Sequence, residues 1–302
     1  NRFHNCQRNP KFREDRLVEV LGKMYEPHFP NLGMSKARNV KQSVLHDRLL
    51  KAGAHFNESA GWEIADWYAT DGKPGVVERY SWGRQNWFAD HEAEHHAARN
   101  DVVLMDMSFM SKFLVQGNDA CKVLNQICCN EIDVEDGRIV YTQWTNEAGG
   151  LEADLTVTRL SRNEYMVIAS DTTHGHVKMW MDRNIPKDSH AFVTDVTSSY
   201  TQLNIHGPKS RELLKTLTSV DVSDEAFPYL SSQYIDIDYA SVLAIRVTYV
   251  GELEFGASKI KVNLPALGWI LADDGTHYLY FMAEGKAAGH SISGGGFATL
   301  DR

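Results

Sequence analysis

The amino-acid sequence predicts an α+β protein with two ferredoxin-like units, preceded by a mostly helical linker region. Two observations carry this prediction. From residue 101 onward, short strand patterns alternate with amphipathic helix patterns, in the order strand, helix, strand, strand. The same order returns after residue 190. The expected division is therefore residues 1–90 for the linker region, 91–260 for the two units and 261–302 for a divergent or truncated tail.

Two helices are expected in the linker region. Leu17, Val20, Leu21 and Met24 recur at i, i+3, i+4 and i+7, the spacing of one helix face, and predict a helix that buries this face. A second helix is expected from Ser43 to Ala52, because Gly53 is a typical helix end. Four tryptophans follow among Gly, Pro and charged residues, and they are interpreted as rings that pack on a neighbouring surface. The alternative is an aromatic wall for a flat ligand.

Each unit is predicted from its own strands and helix. The first has strands at Lys112–Gln116, Ile139–Trp144, Asp154–Leu160 and Tyr165–Ala169, and helices at Asp119–Ile127 and His174–Met181. The second has strands at Ala191–Thr194, Thr201–Ile205 and Ala244–Val250, and a helix that Pro208 opens and Leu217 ends.

The overall composition excludes some classes of function. The chain of 302 residues has a net charge of −9 and a pI near 5.8, whereas a nucleic-acid-binding protein needs a basic face. No apolar run reaches the roughly 18 residues of a membrane helix. The four cysteines form neither a Cys-x-x-Cys pair nor a disulfide framework, and they indicate reduced thiols in an intracellular compartment.

Asp106 is the first candidate catalytic residue. It interrupts the apolar run 102–107, where an ionised carboxylate is costly unless it is paired, hydrogen-bonded or hydrated. A turn with Gly149 and Gly150 follows about 40 residues later, and a second acid, Asp154, lies in the strand after it. These parts are expected to form one concave site. The alternative for Asp106 is an acid that caps the turn at Met107 and Ser108.

A literal H-E-x-x-H at residues 91–95 is the competing signal. On a helix, His91 and His95 share a face and suit a zinc hydrolase, with Glu92 as the general base. The longer zinc-protease pattern requires Gly at position 98 and His at 101, but the chain has Ala98 and Asp101. The alternative, a solvated helix that is rich in histidine, is therefore favoured, and no metal is expected.

Several motifs resemble the folate-binding aminomethyltransferases, the family of the glycine cleavage T-protein. These motifs are MDMSFMSKF, TNEAGGLEADLTVTRL, NIHGPKSRELL and RVTYVGE, at residues 105–113, 145–160, 204–214 and 246–252. Upstream, SVLHDRLLKAGAHFNESAGWE and YSWGRQNWF resemble the joining region of flavoproteins such as dimethylglycine and sarcosine dehydrogenases. The similarity covers about residues 10–255 and its motifs keep their order.

The resemblance implies roles for individual residues. Asp106 corresponds to the family's catalytic acid. Glu252 corresponds to the glutamate that holds the pterin ring, and Tyr141 lies in the strand that helps to form the folate site. Arg246 and Tyr249 match positions in the same motif as Glu252, and Asp154 is assigned to the same cofactor site.

The resemblance also implies a function. Tetrahydrofolate is the expected cofactor, and it captures a formaldehyde-level unit as 5,10-methylenetetrahydrofolate. FAD is expected only in an N-terminal domain that this sequence lacks, on the same or a partner chain, where an N-methyl amine is oxidised. The expected compartment is the mitochondrial matrix in a eukaryote and the cytoplasm in a bacterium. The alternative is a non-catalytic module like the regulatory subunit of pyruvate dehydrogenase phosphatase.

Overall fold

The computed structural model describes residues 5–27, 29, 32–72, 77–247, 260–264, 268–272 and 278–283. Its helices are α1 Pro10–Gly22, α2 His46–Lys51, α3 Phe88–Asn100, α4 Ala120–Ile127, α5 His174–Asn184 and α6 Ser210–Leu217. Its strands are β1 Ala54–Ser59, β2 Trp62–Tyr68, β3 Val103–Asp106, β4 Ser111–Gln116, β5 Ile139–Thr145, β6 Leu151–Ser161, β7 Glu164–Ala169, β8 Phe192–Asp195, β9 Thr201–His206, β10 Ser231–Ile237, β11 Ala240–Val247, β12 Ile260–Leu264, β13 Gly268–Ala272 and β14 Tyr278–Ala283. The α+β class is confirmed.

The linker region contains the two expected helices and, in addition, a hairpin that the sequence patterns did not predict. Strands β1 and β2 pair antiparallel across a turn at Ala60 and Gly61, both of which have positive φ. Gly53 follows α2 with a φ of +91°, a conformation that favours glycine, so the expected helix end is confirmed. α2 begins at His46, three residues after the expected Ser43.

The prediction that α1 buries Leu17, Val20, Leu21 and Met24 is wrong. These side chains are between 44% and 59% exposed, whereas Phe12, Arg16 and Glu19 are buried. The reason is polar: the Glu19 carboxylate accepts hydrogen bonds from the backbone N–H groups of Ser35 and Lys36. α1 therefore contacts the rest of the described chain through its charged side.

Three of the four linker tryptophans pack as expected. Trp62, Trp67 and Trp87 are at most 9% exposed, and the Trp67 and Trp87 rings stack with centroids 6.2 Å apart. Trp82 differs, because it is 88% exposed. The interpretation as packing rings is thus confirmed for three residues only.

The first unit is a five-stranded antiparallel sheet in the order β5-β6-β7-β4-β8, with α4 and α5 on one face. Its core contains Trp144, Tyr165, Leu124 and Met181. In α4 the residues that the sequence placed inward, Ala120, Val123, Leu124 and Ile127, are all buried, which confirms the amphipathic pattern.

The second unit is a seven-stranded sheet in the order β13-β12-β11-β14-β9-β3, in which β10 also pairs with β11. Helix α6 packs on it through Leu214, which shares a core with Leu203, Ile205 and Phe227. The helix begins at Ser210, so Pro208 precedes the first helical position that it was expected to occupy. The reason is that Gly207, Pro208 and Lys209 form a tight turn in which Ser210 N–H bonds to the Gly207 carbonyl, 3.0 Å away.

A third core joins the two sheets. Ile139, Met166 and Ile168 of the five-stranded sheet pack with Leu243, Ile245 and Val247 of β11, and Met105 of β3 adds to them. This intersheet core brings the end of β3 close to the face of the five-stranded sheet. Among the described residues, no helix has the length and apolar character needed to cross a membrane.

Candidate active site

Asp106 is the last residue of β3, where the chain leaves the sheet. β3 pairs antiparallel with β9, and Asp106 lies opposite Leu203. A tight turn follows, in which Met110 N–H bonds to the Met107 carbonyl over 3.0 Å. β4 then begins at Ser111. The carboxylate therefore lies at the point where one sheet ends and the other begins.

Three hydrogen bonds hold the Asp106 carboxyl group. Oδ1 accepts from the Ser108 backbone N–H at 3.0 Å and from the Ser108 hydroxyl at 2.5 Å. Oδ2 accepts from the hydroxyl of Ser43, which lies 63 residues earlier in the chain. The Ser108 hydroxyl itself accepts from the N–H of Gln202 in β9, 3.0 Å away. A carboxylate has about four lone-pair sites, so three donors leave about one for a ligand proton.

Opposing effects set the pKa of Asp106. Burial of the carboxyl group raises the pKa, and this is the largest effect. The hydrogen bonds from Ser108 and Ser43 and the positive charge of Lys112 act in the opposite direction. The net effect is a raised pKa, and perturbed pKa values of this kind are common at functional sites.

The turn-capping alternative for Asp106 is also present in this geometry. Its bond to Ser108 N–H is the cap that short acids typically form two residues ahead. The cap uses Oδ1, however, while the bond from Ser43 comes from a distant segment and uses Oδ2. Capping therefore explains one of the two oxygens.

Lys112 connects this acid to the face of the five-stranded sheet. Its side chain is fully buried, and Nζ donates to the Ser108 carbonyl at 3.1 Å. Across the sheet, Lys112 is opposite Ile168, Ile168 is opposite Thr156, and Thr156 is opposite Tyr141. Residues paired in this way share a face, so Lys112 and Tyr141 lie on one face and about 14 Å apart at the usual strand spacing.

Tyr141 and Asp154 are neighbours on that face. Tyr141 is 52% exposed, and Asp154 is exposed and lies opposite Gln143, two residues further along β5. Gln143 Nε2 donates to Asp154 Oδ1 over 3.2 Å. The turn that precedes Asp154 is held by Asn146, whose Oδ1 accepts the N–H groups of Ala148 and Gly150. The structure thus brings Tyr141 and Asp154 together on an accessible surface.

Arg246 lies apart from these residues. It is 2% exposed, and it alternates along β11 with Ile245 and Val247, so it projects away from the intersheet core. Its guanidinium donates to the Phe227 carbonyl and to Asp224 Oδ1. Two strands, β14 and β9, separate β11 from β3. A role for Arg246 in holding a cofactor stays a prediction, as do the roles of Tyr249 and Glu252, which lie outside the described residues.

Sequence reasoning missed Ser43 and Lys112. The sequence pattern indicates Ser43 only as the start of a helix, because its contact with Asp106 depends on the tertiary fold. Lys112 lies in a predicted strand, and its charge within Ser111–Gln116 is the available signal, because a buried lysine needs acceptors. Its Nζ finds them in the carbonyls of Ser108 and Met110.

The histidine-rich helix α3 contacts the hairpin through Glu94. Glu94 is buried and accepts the Tyr68 N–H at 2.8 Å. The rings of His91 and His95 are 6.5 Å apart. Within the part of the chain that the structure describes, no three His, Cys, Asp or Glu side chains are placed to hold a metal ion. All four cysteines are free thiols.

Two protein-family profiles match consecutive parts of the chain. Residues 45–257 match the family profile of the GCVT N-terminal domain, and residues 1–43 match that of the FAD dependent oxidoreductase central domain. The two matches meet between residues 43 and 45. The expected linker of residues 1–90 spans both of them, and the division of the chain at residue 90 stays a prediction.

Three curated relatives illustrate the match. The chain is 39% identical to 4-methylaminobutanoate oxidase (formaldehyde-forming) of Paenarthrobacter nicotinovorans, over 90% of this chain and 33% of that protein. It is 30% identical to the mitochondrial pyruvate dehydrogenase phosphatase regulatory subunit of Mus musculus, over 84% and 30%. It is also 30% identical to the mitochondrial dimethylglycine dehydrogenase of Homo sapiens, over 70% and 24%. The chain therefore spans about a third or less of the length of these relatives.

A solved structure confirms the fold. The crystal structure of the glycine cleavage system aminomethyltransferase T from Bartonella henselae superposes with a TM-score of 0.58 at 18% identity, over 81% of this chain and 54% of that one. The predicted resemblance to the T-protein and to flavoproteins that act on N-methyl amines is confirmed. Because the GCVT profile matches residues 45–257, more than half of the sequence, this chain belongs to the GCVT aminomethyltransferase family.

Proposed function

We propose that this chain binds tetrahydrofolate and captures a formaldehyde-level unit from an N-methyl amine as 5,10-methylenetetrahydrofolate. The observation that carries the proposal is the Asp106 carboxyl group, which is enclosed, bonded by two serine hydroxyls and left with about one lone-pair site. The name of the Paenarthrobacter relative, a formaldehyde-forming oxidase of a methylamino acid, supports the one-carbon unit.

Two amide side chains of β9 offer acceptors to a ligand that is rich in N–H donors, and they lie on the face of the sheet opposite to that of Asp106, whose strand partner is Leu203. Asn204 lies opposite Met105, and Gln202 lies two residues before it on the same face of β9. Both side chains are 1% exposed, and within the described residues Asn204 Oδ1 and Gln202 Oε1 accept no hydrogen bond. Buried acceptors without donors are costly, and the N–H groups of a pterin ring are donors of the kind that would satisfy them.

The protein side of the reaction follows from these positions. Bound tetrahydrofolate supplies the amine nitrogens that form carbon–nitrogen bonds to the one-carbon unit. Each bond releases one proton from nitrogen. Asp106 accepts such a proton and returns it to the departing oxygen, which leaves as water. The raised pKa of Asp106 suits both transfers, since a carboxyl group that exchanges protons readily contributes about 10²–10⁴-fold to such reactions.

FAD belongs to the same proposal as the group that carries out the oxidation. Residues 1–43 match the central domain of FAD dependent oxidoreductases, so the flavin-bearing part, on the same or a partner chain, is proposed to oxidise the N-methyl amine. In a eukaryotic source the mitochondrial matrix fits, because two relatives carry "mitochondrial" in their names.

Calorimetry and a capture assay test the proposal together. The wild type is expected to give a heat of binding with tetrahydrofolate and to form methylenetetrahydrofolate faster than the uncatalysed reaction. The Asp106→Asn variant is expected to bind with a similar heat and to lose capture by about 10²–10⁴-fold. The Asp236→Asn variant is a control, because Asp236 is an exposed acid on β10. An absence of binding heat in the wild type would contradict the proposal.

A non-catalytic regulatory module is the second candidate. The 30% identity to the pyruvate dehydrogenase phosphatase regulatory subunit favours it. It predicts that the wild type and Asp106→Asn capture a partner protein equally well while neither accelerates methylenetetrahydrofolate formation. Pull-down with both variants, read beside the capture assay, distinguishes the two candidates.

A further inference from the structure

Ser43 occupies an unusual position in the chain. It is the last residue matched by the FAD oxidoreductase profile, and the GCVT match begins at residue 45. Its hydroxyl nevertheless contacts the acid at the end of β3, which belongs to the GCVT part. One side chain at the junction of the two matches thus reaches the candidate active site.

The local backbone fixes the Ser43 hydroxyl in place. On one side, Lys41 pairs with the hairpin, since its N–H bonds to the Gly61 carbonyl and its carbonyl accepts the Glu63 N–H, both at 2.9 Å. On the other side, the His46 N–H bonds to the Ser43 carbonyl at 3.2 Å as α2 begins. Ser43 is held between two anchored elements, so its side chain does not need to be ordered when a ligand binds.

The Ser43 hydroxyl acts as a hydrogen-bond donor to the Asp106 carboxylate. Ser43 Oγ accepts the Leu45 N–H at 3.2 Å, and its single proton goes to Asp106 Oδ2. The Ser43 hydroxyl is thus a donor to Oδ2 from a distant segment. Ser108 occupies Oδ1 only. Ser43 therefore stabilises the ionised form of Asp106 against the cost of burial and fixes the rotation of the carboxyl group.

We propose that Ser43 is a positioning residue for Asp106, through which the junction segment holds the carboxylate in its proton-accepting state. This inference rests on the proposed function for its link to catalysis. Its physical content, the control of the Asp106 carboxyl group by a hydroxyl from the junction, is measurable without folate.

The first test follows the titration of the Asp106 carboxyl group in the folate-free protein by infrared difference spectroscopy. The band of the protonated carboxyl group is assigned by its loss in Asp106→Asn. In Ser43→Ala the pKa of Asp106 is expected to rise, because a donor to the ionised form is lost while burial and the Lys112 charge remain. Ser43→Thr, which keeps a hydroxyl, is expected to restore the wild-type titration.

A matched control removes an equivalent bond nearby. Ser59, at the end of β1, donates to Asp171 Oδ2 at 2.7 Å and so also joins the linker region to the first unit. Ser59→Ala is expected to leave the Asp106 titration unchanged. Circular dichroism and thermal unfolding of each variant verify that the fold is retained. An Asp106 titration that is identical in the wild type and in folded Ser43→Ala would overturn the inference.

The second test links Ser43 to catalysis. At neutral pH, Ser43→Ala is expected to lower methylenetetrahydrofolate formation by about tenfold, the value of one hydrogen bond to a charged group, with unchanged folate affinity. The pH at which the rate reaches half of its maximum is expected to move upward with the infrared titration. If the titration shifts but no variant captures the one-carbon unit, the positioning role stands and the proposed function fails. A titration that shifts while capture by Ser43→Ala stays at the wild-type rate overturns the catalytic link.

Discussion

At the scale of single residues, Asp106 combines a local turn-capping bond with a bond from a distant segment. Its Oδ1 caps the turn at Ser108, as many aspartates do, and its Oδ2 receives the distant Ser43 hydroxyl. The sequence identified Asp106 because an acid in an apolar run requires partners. It did not identify the partner of Oδ2, because a contact across 63 residues depends on where β1, β2 and α2 pack.

The structural and catalytic contributions of Asp106 can be separated by two substitutions. Asp106→Asn keeps an oxygen for the Ser108 N–H, so the free energy of unfolding is expected to change by no more than about 1 kcal/mol. Asp106→Leu leaves the Ser108 N–H and two hydroxyls without an acceptor and is expected to cost about 2–4 kcal/mol. Urea unfolding at pH 7 measures both. Equal losses would show that the acceptor bonds contribute little.

A second acid, Asp224, is expected to stabilise the fold rather than the site. Burial opposes its ionisation, but hydrogen bonds and charge from Arg246 and Arg211 lower its pKa from 3.8 to about 2. Burial in turn lowers the pKa of Arg246 to about 10, so the guanidinium needs this partner. Because Asp224 itself is 60% exposed, the expected cost of Asp224→Asn at pH 7 is reduced to about 1–2 kcal/mol.

The stability that the Asp224 charge contributes is expected to decrease as the pH falls. A carboxyl group whose folded pKa is depressed contributes stability above its unfolded pKa, and this stability disappears as pH falls through the folded pKa. The difference between wild type and Asp224→Asn is therefore expected to be full above about pH 4 and absent below about pH 2. Urea unfolding of the two proteins between pH 2 and pH 7 provides the measurement. A difference in stability that is as large at pH 2 as at pH 7 would show that the loss arises from packing and not from the charge of Asp224.

At the scale of elements, a periodic apolar pattern predicts a helix, but it does not predict which face of the helix packs against the rest of the protein. The pattern of α4 agreed with its burial because the helix lies on a sheet that offers an apolar face. The pattern of α1 failed because the segment at Ser35 and Lys36 offers N–H groups, which Glu19 accepts. Local periodicity cannot foresee that difference. The hairpin β1–β2 was missed for a related reason, since its tryptophans and charged residues do not alternate cleanly in sequence.

In helix α3, the buried carboxyl group of Glu94 is expected to destabilise the protein at high pH. Burial raises the pKa of Glu94 to about 7, and the nearby charges of Asp90 and Asp66 act in the same direction. A carboxyl group with a raised folded pKa loses stability as pH rises from its unfolded pKa of 4.5 toward about 7. Glu94→Gln keeps an oxygen for the Tyr68 N–H and removes the charge. It is expected to be about 2 kcal/mol more stable than wild type at pH 8.

The matched measurement is urea unfolding of wild type and Glu94→Gln at pH 4.5 and at pH 8. The two proteins are expected to be nearly equal at the lower pH, where Glu94 is protonated in the folded state and half protonated in the unfolded state. Glu92→Gln is the control, because Glu92 is exposed on the same helix. A stabilisation that is the same at both pH values would show that it does not arise from the charge of Glu94.

At the scale of the whole molecule, the candidate site depends on how the two sheets meet. Asp106 comes from β3 of the seven-stranded sheet, whereas Lys112, Tyr141 and Asp154 come from the five-stranded sheet. The sequence predicted the α+β class, strands β4 to β7 of the five-stranded sheet, and β9 and β11 of the seven-stranded sheet. It missed β3 and β10, and it assigned Ala191–Thr194 to the second unit, whereas β8 pairs with β4 in the first sheet. It could not predict the intersheet core, since apolar strands indicate burial without naming the partner. That core fixes the position of Asp106 relative to the facing sheet.

The intersheet core is therefore expected to make the stability of the two sheets interdependent. Ile245 of β11 is 1% exposed and packs against Met166 and Ile168 of β7 across this core. Ile245→Ala is expected to cost about 3 kcal/mol, the usual penalty for a large cavity in a packed core. Because the cavity lies between the sheets, hydrogen exchange is expected to accelerate in β5–β7 as well as in β9–β11.

The matched control is Val242→Ala, on the opposite face of β11, where Val242 packs with Leu203 and Leu214 instead. Its effect on exchange is expected to be larger in β9–β11 than in β5–β7. If Ile245→Ala leaves exchange in β5–β7 unchanged, the sheets open independently, and the position of Asp106 is then maintained by its bonds to Ser43 and Ser108 and by the pairing of β3 with β9 rather than by the intersheet core.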